Sequence, residues 1–184
     1  MLKLYIGNKN YSSWSMRPWV LMTQAGIAFE EILVPFGTEV DGVDANFKRV
    51  IGAINPTGTV PVLVDGELVV WDTLAICEYL AERFPELALW PQDVAQRARA
   101  RSVVAEMHAG FGALRSRCGM NIEAHLPEQG QLAMRDSPGV RANLARIVAM
   151  WSELLAAHGG PMLFGPFSIA DAYYAPIVMR IRTF

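Results

Sequence analysis

Residues 59–73, TVPVLVDGELVVWDT, restrict the possible folds of this 184-residue chain more than any other stretch. Asp65-Gly66 separates two runs rich in β-branched residues, which is the pattern of a β-hairpin. Pro61 heads the first run, at a position where a strand tolerates proline. The residues that follow, DTLAICEYLAERF, place apolar side chains three or four positions apart, as an amphipathic helix does. We therefore predict a hairpin that leads directly into a helix.

The residues before the hairpin predict one strand, one helix and a second strand. LKLYI is a strand candidate that ends at Gly7, and FEEILVPF is the second candidate. Between them we predict a helix from Arg17 to about Ala25, with Pro18 in its first turn and Gly26 as its stop. The order β-α-β and then β-β-α is typical of a thioredoxin-like α/β domain.

The strand pattern disappears after residue 84. We therefore predict an α/β domain over residues 1–84, a proline-punctuated linker over 85–92 and an all-helical domain over 93–184. Apolar residues make up 52% of the chain and charged residues 18%, so the chain can bury a sizeable core.

Three helices are predicted in the second domain. One long helix, weakened by glycines at 110 and 112, carries apolar residues at helical spacing: Val104, Met107, Phe111, Leu114 and Cys118. A second helix runs from about Val140 to His158 and is closed by two glycines. Ser168 and Asp171 have the spacing of a capping box before a third helix, which Pro176 would bend or end.

Charge and hydropathy exclude several classes of protein. The net charge of −2, with no basic stripe, argues against a nucleic-acid partner. No run of about 18 uncharged apolar residues is present, so no membrane span is predicted. The N-terminal residues MLKLYIGNKN lack the apolar core of a secretion signal, so we expect a cytoplasmic protein.

The cysteines and histidines indicate neither a disulfide framework nor a metal site. Cys77 and Cys118 lie far apart in the sequence, each within a helical pattern, so we expect small buried residues. The three histidines, His108, His125 and His158, do not have the spacing of metal ligands, so we predict no metal.

The segment NYSSWSMRPW, residues 10–19, places two adjacent serines before a predicted helix. One interpretation is structural, because serine is a favoured N-cap residue and either Ser12 or Ser13 could cap the helix. The other is chemical, because a helix N-terminus stabilises an anion and a serine hydroxyl there can donate a hydrogen bond to a thiolate. The serine would then be a donor rather than a nucleophile, since no neighbouring His or Asp in the sequence could activate it.

The hairpin segment offers a second group of binding residues. Val60-Pro61 is a candidate cis peptide bond, which would turn the main-chain N–H and C=O of Val60 outward to pair with an extended peptide-like ligand. Asp72 and Thr73 stand at the start of the predicted helix, where capping is one interpretation. In the alternative, Thr73 and the helix N–H groups hold a carboxylate and Asp72 holds an ammonium, which together match an α-amino acid head group.

Three segments in this order resemble the glutathione S-transferase superfamily, and the resemblance spans essentially the whole chain. YSSWSMRPW is similar to the opening of bacterial-type, zeta-like (maleylacetoacetate isomerase-like) members, with an Arg five residues after the first serine. NPTGTVPVLVDGELVVWDTLAICEYLAERFP is similar to the glutathione-site segment, and FSIADAYYAP to the capping box of the helical domain. The resemblance implies a thioredoxin-like glutathione-binding domain followed by an all-α helical bundle that is short at its C-terminus.

The resemblance also implies roles for individual residues. Ser12 falls on the zeta-type serine that bonds the glutathione sulfur, and Ser13 takes that place if the four-residue spacing of delta and theta types applies. Asn121 falls on a loop that is weakly similar to one contributing an Asn contact. The implied glutathione-binding residues are Trp14, Lys48, Thr59, Val60, Pro61, Asp72, Thr73 and Asn121. The implied second-substrate pocket, a cleft between the domains, is lined by Met107, His108 and Phe111.

The function that the resemblance implies is a glutathione transferase. Glutathione would be its co-substrate, and a small hydrophobic electrophile would be its second substrate. The resemblance further implies a cytoplasmic homodimer that contains no metal and has a role in detoxification. The alternatives are a cis-trans isomerase of the maleylacetoacetate type and a non-catalytic binding or regulatory protein with the same fold. Trp14 stands where the zeta pattern has Cys, which weighs against that isomerase. A thiol reductase is disfavoured because serine stands where its nucleophilic Cys is needed.

Overall fold

The computed structural model of the protein describes residues 1–37 and 45–184, which form two compact units, Met1–Leu87 and Ala88–Phe184. The elements of the first unit are β1 (Leu2–Ile6), α1 (Ser13–Gln24), β2 (Phe29–Leu33), α2 (Ala45–Gly52), β3 (Val62–Asp65), β4 (Leu68–Trp71) and α3 (Thr73–Arg83), with a 3₁₀ turn at Pro85–Leu87. The helices of the second unit are α4 (Val94–Ala109), α5 (Gly112–Arg117), α6 (Pro127–Asp136), α7 (Pro138–His158) and α8 (Ile169–Thr183).

The strands of the first unit form one mixed sheet in the order β2-β1-β3-β4. β1 runs parallel to β2 and antiparallel to β3, and β3 runs antiparallel to β4. The predicted hairpin is confirmed, and Gly66 in its turn has a φ of +61°, which glycine adopts without steric cost. Together with the helices, this sheet confirms the predicted thioredoxin-like arrangement.

Helices cover both faces of the sheet. On one face, Phe47 and Ile51 of α2 form an apolar cluster with Val62 of β3. Successive side chains of a strand point to opposite faces, so the fully buried Leu4 and Leu63, which are paired across β1 and β3, lie on the other face. Helix α1 packs there against α3 and β1. The starts of α1 and α3 are thereby fixed by a buried core.

Helix α1 begins four residues before its predicted start at Arg17, so that prediction was wrong. The main-chain carbonyl of Ser12 already accepts the N–H of Met16 at 3.1 Å, which opens the helix at Ser13. Pro18 consequently lies in the second turn, where its ring nitrogen cannot donate to the carbonyl of Trp14. The two serines are therefore part of the helix start itself rather than of a loop before it.

The predicted long helix through residues 104 to 118 is also wrong, because α4 ends at Ala109 and α5 begins at Gly112. Gly110 is extended, with φ −101° and ψ −167°, and Phe111 is left-handed, with a φ of +55°. The N–H of Gly110 donates to the carbonyl of Glu106 at 2.8 Å. A Cβ atom at Gly110 would contact that same carbonyl oxygen well inside van der Waals distance.

Gly110→Ala is therefore expected to destabilise the protein by about 1 to 3 kcal/mol, because a main-chain carbonyl cannot move away as a side chain can. Urea unfolding followed by circular dichroism measures this change. Gly112→Ala is the matched control, since nothing lies within 4 Å of the Cβ position there. Equal stability of the two variants would contradict the steric explanation.

The remaining helices agree with the sequence in part. Helix α7 ends at His158, as predicted, and Gly159 follows with a φ of +77°. Helix α6 was not predicted, because its sequence PEQGQLAMRD contains few apolar residues and a glycine. Pro176 does not end α8, which continues to Thr183 among buried neighbours such as Tyr173 and Ile177.

A capping box begins α8, as predicted from Ser168 and Asp171. The Asp171 carboxylate accepts the main-chain N–H of Ser168 at 2.8 Å and its hydroxyl at 3.0 Å. The same carboxylate accepts the N–H of Leu163 at 2.9 Å, so it also fixes the loop before the helix. One side chain thus holds three donors from two segments of the second unit.

Candidate functional site

A cavity of about 570 Å³ lies in the first unit, and residues at the starts of α1 and α3 line it. Its lining residues are Tyr11, Ser12, Ser13, Trp14, Phe36, Phe47, Thr57, Gly58, Thr59, Val60, Pro61, Trp71, Asp72 and Thr73. The cavity brings together every binding residue predicted in the first unit except Lys48. Of the described residues that line the cavity, only Asp72 carries a full charge.

The two serines at the start of α1 differ in position. Ser12 is the N-cap residue, but its side chain makes no capping hydrogen bond. Its hydroxyl instead donates to the hydroxyl of Ser15 at 2.8 Å, and Ser15 Oγ also accepts the N–H of Gly7 at 3.1 Å. Ser13 is the first helical residue. Both serines are buried and both line the cavity, so either hydroxyl stands beside the N–H groups of a helix start.

Asp72 caps α3 with its side chain, as the structural interpretation predicted. Its Oδ1 accepts the N–H of Leu74 at 2.8 Å and the N–H of Ala75 at 3.4 Å. Its φ is +71°, in the region that disfavours a residue with a Cβ atom. Such strain persists only where the surroundings hold it, and it concentrates at binding sites. The cap and the cavity wall therefore fix this carboxylate in one place.

Thr73, the first residue of α3, has a buried hydroxyl without a hydrogen-bond partner among the described residues. The residue is 1% exposed and lines the cavity. A buried hydroxyl that lacks a partner is costly, so its presence at a cavity wall indicates that a ligand completes it. Of the polar atoms in the cavity wall, this one points most directly to a ligand.

The segment before β3 contains the predicted cis peptide bond between Val60 and Pro61. No residue in the described ranges makes a main-chain hydrogen bond to Val60, so its N–H and C=O can pair with a ligand. Asn55 holds the segment in place, because its Nδ2 donates to the carbonyl of Thr59 at 2.9 Å. The hydroxyl of Thr57 lies 2.7 Å from that of Thr59, which adds two hydroxyl groups to the same part of the wall.

Trp14 lines the cavity, and the guanidinium of Arg17 lies against its ring, with Cζ 4.1 Å from the ring centroid. Arg17 is 1% exposed, so the stacked cation is shielded from solvent. This cation–π contact fixes the indole at the helix start. The Arg in the opening motif therefore acts from behind the cavity wall and is not itself a lining residue.

Besides Trp14, which was predicted, the cavity is lined by four aromatic residues that sequence reasoning missed: Tyr11, Phe36, Phe47 and Trp71. The rings of Phe36 and Phe47 lie 5.1 Å apart, and that of Tyr11 lies 5.9 Å from Phe36. Asn8 Oδ1 accepts the N–H of Phe36 at 2.8 Å and anchors this group. Gly7 is a local sequence signal of this aromatic group, because a Cβ atom at that position would collide with the ring of Phe36.

Lys48 and Asn121 are not among the residues that line this cavity. Lys48 is exposed on α2. Asn121 belongs to the second unit, where its Oδ1 accepts the N–H groups of Glu123 and Ala124, each at 3.2 Å. Its carbonyl accepts the hydroxyl of Thr183 at 2.7 Å. The Asn121 side chain thus caps a turn of its own unit.

The residues expected around a second substrate also belong to the second unit. Met107 is fully buried, and Phe111 is buried with its ring edge-on to that of Tyr174, 6.4 Å between centroids. His108 is partly buried, and its Nδ1 lies 3.0 Å from the hydroxyl of Tyr173. Of the three, His108 has the most accessible side chain.

Neither cysteine is placed as a nucleophile. Burial raises the pKa of the Cys77 thiol far above its ordinary value, and burial also raises the pKa of Cys118. Both thiols are therefore neutral and shielded near neutral pH.

Among residues 1–37 and 45–184, no cluster of three or more His, Cys, Asp or Glu side chains is arranged to bind a metal ion. Within the same ranges no helix combines the length and apolar character of a membrane span.

Known proteins resemble this chain in sequence and in fold. The family model described as glutathione S-transferase, N-terminal domain, matches residues 11–83. Glutathione S-transferase Z1 of Arabidopsis thaliana is 40% identical over 94 residues, which cover 49% of this chain and 40% of that protein. A zeta class glutathione S-transferase of Euphorbia esula is 30% identical over 178 residues, which cover 95% of this chain and 73% of that protein.

Among solved structures, a glutathione transferase homolog from Burkholderia gl BGR1, with bound glutathione, aligns with a TM-score of 0.71. The alignment covers 98% of this chain and 81% of that one, at 22% identity, and therefore shows a common fold. That fold is a thioredoxin-like domain followed by an all-α domain. The chain spans only about two fifths of the length of the Arabidopsis relative.

Proposed function

The chain belongs to the glutathione S-transferase family, and from this premise we propose that it binds glutathione in the cavity of its first unit and activates the thiol for attack on a small hydrophobic electrophile. The observation that supports this most strongly is the buried hydroxyl of Thr73, which has no hydrogen-bond partner within residues 1–37 and 45–184 and lines the cavity together with Asp72. The two groups stand together at the start of α3.

The γ-glutamyl end of glutathione is an α-amino acid head group, with one carboxylate and one ammonium. A carboxylate at the start of α3 would accept a hydrogen bond from the Thr73 hydroxyl and face the positive end of the helix dipole. The ammonium would lie against the carboxylate of Asp72, a charged group of the cavity lining. The main chain of Val60 would pair with the cysteinyl residue in the manner of an added strand.

The thiol would then lie at the start of α1. Its proton leaves to solvent, and the remaining thiolate accepts a hydrogen bond from Ser12, with Ser13 as the alternative donor. The sulfur attacks the electrophilic carbon, a C–S bond forms, and the leaving group departs with its electron pair. A donor that stabilises the anion in this way raises the fraction of reactive thiolate near neutral pH.

Homodimerisation, a cytoplasmic location and a role in detoxification stay predictions from the family resemblance, as do the contacts of Lys48 and Asn121. The same is true of a second-substrate site near Met107, His108 and Phe111. The isomerase alternative uses the same thiolate, so a substrate screen distinguishes it from the transferase.

Asp72→Asn tests the head-group assignment, because the amide keeps the Oδ1 acceptor of the helix cap and removes only the charge. We expect glutathione to bind about tenfold more weakly, by the loss of one charge-assisted contact. Calorimetric titration of the full chain with glutathione measures the affinity, and a thermal melt checks that the cap of α3 is intact.

Asp65→Asn is the matched control, since Asp65 accepts the hydroxyl of Tyr79 at 2.7 Å and does not line the cavity. The control is expected to bind glutathione as the unmodified chain does. An unmodified chain that fails to bind glutathione would overturn the transferase proposal and favour the non-catalytic binding or regulatory protein. Unchanged affinity of Asp72→Asn would overturn the role of Asp72 alone.

A further inference from the structure

Ser15, the third serine of the opening segment, lies on α1 one turn after Ser12 and is 2% exposed. It does not line the cavity, yet its hydroxyl oxygen accepts the Oγ–H of Ser12 at 2.8 Å. A serine hydroxyl has one proton, so in this arrangement the proton of Ser12 is directed at Ser15 and away from a ligand. A donor role for Ser12 therefore requires this hydrogen bond to reverse.

We propose that Ser15 is a positioning residue that reverses this hydrogen bond when a thiolate is bound. The Ser15 hydroxyl then donates to Ser12 Oγ, and the Ser12 hydroxyl donates to the sulfur. The inference rests on the proposed glutathione function and adds to it a residue that does not touch the ligand. No proton moves between the serines, since each hydroxyl only rotates.

The main-chain N–H of Gly7 makes the reversal possible. It donates to Ser15 Oγ at 3.1 Å, and a hydroxyl oxygen has two acceptor sites as well as its own proton. Ser15 can therefore keep the hydrogen bond from Gly7 while it donates to Ser12. The resulting chain runs from the end of β1, through two hydroxyls, to the sulfur.

Two physical effects follow from such a chain. Hydrogen bonds in series polarise one another, so Ser12 becomes a stronger donor when it also accepts from Ser15. The buried position of both serines limits competition from water, which would otherwise supply the same hydrogen bond. Ser15 thereby lowers the pKa of the bound thiol through Ser12.

The ionisable groups near Ser12 and Ser15 are unchanged by substitutions of these two serines. Tyr11 and Asp72 line the cavity, Arg17 follows Ser15 on α1, and Cys77 of α3 interacts electrostatically with Arg17 and Asp72. Because these groups are retained, a difference between variants reports on the two serines.

The test measures the pKa of the bound thiol from the ultraviolet absorbance of the thiolate, with the full chain saturated with glutathione at a series of pH values. Ser15→Ala is expected to lower the thiolate fraction about fivefold at a pH below that pKa, the effect of one lost hydrogen bond. The variant is expected to bind glutathione with unchanged affinity, because the contacts to the γ-glutamyl head group are retained. In a Ser12→Ala background the same Ser15→Ala change is expected to have no further effect, because Ser15 acts only through Ser12.

Ser15→Thr and Ser15→Val are a matched pair, because the two side chains have nearly the same shape and differ in the hydroxyl. They provide the same test if the Ser15→Ala variant does not fold. The threonine retains the hydroxyl and is expected to keep the lower thiol pKa, whereas the valine is expected to lose it. If Ser12→Ala raises the pKa and Ser15 variants do not, the inference fails and the transferase proposal stands. If the unmodified chain does not lower the thiol pKa, the proposed thiolate site fails, and this inference with it.

Discussion

Ser12→Ala is expected to reduce kcat/KM for the conjugation of glutathione to an aryl chloride about 100-fold, the loss typical when a preorganised donor to a developing or bound anion is removed. The hydroxyl of Ser12 lies in the cavity wall and its oxygen is held by Ser15 at 2.8 Å, so rotation of the hydroxyl alone directs its proton at the sulfur. Steady-state rates across a pH series measure the effect, and the rise of rate with pH should shift to higher pH.

Ser13→Ala is the informative comparison, because Ser13 also lines the cavity but occupies the first helical position. We expect a much smaller loss for it. Ser102→Ala on α4 controls for a serine-to-alanine change as such, since that exposed hydroxyl donates to the carbonyl of Ala98. A large loss in Ser13→Ala together with a near-normal Ser12→Ala would assign the donor role to Ser13.

Asp171→Ala is expected to destabilise the second unit by about 3 kcal/mol, because hydrogen bonds to a charged group are strong and their loss leaves partly buried donors unsatisfied. The donors are the N–H of Leu163 and both the N–H and hydroxyl of Ser168. Urea unfolding followed by circular dichroism gives the free-energy change from the midpoint and slope.

Asp136→Ala is the control for Asp171→Ala, since Asp136 is exposed at the end of α6 and pairs with Arg135 on the surface. A surface ion pair contributes little, so this variant should unfold close to the unmodified chain. Similar midpoints for the two variants would contradict the role assigned to the Asp171 carboxylate.

The parts of the fold that follow from nearby residues could be predicted. The hairpin at Gly66 and the capping box at Ser168 each depend on a few adjacent positions, and the structure confirms both. The break between α4 and α5 could not be predicted, because the apolar spacing continues through it. Phe111 adopts its left-handed conformation there and packs against Tyr174, some 60 residues later in the chain.

The candidate site divides in the same way. Asp72 and Thr73 could be identified because they stand at the predicted start of a helix, α3. Ser12 and Ser13 could be identified because they precede the predicted helix α1. Phe36 and Phe47 could not, because the fold brings separate segments together at the cavity. The hydrogen bond between Ser12 and Ser15 could have been predicted from the sequence, because residues three apart are neighbours on one face of a helix.

The burial of the two cysteines has a practical consequence. Each compact unit contains one of them, Cys77 in the first and Cys118 in the second, and the folded chain shields both. A thiol label can reach either sulfur only when its own unit opens, so labelling followed by mass spectrometry records the opening of each half separately. The chain therefore carries two native reporters that show which half a substitution loosens.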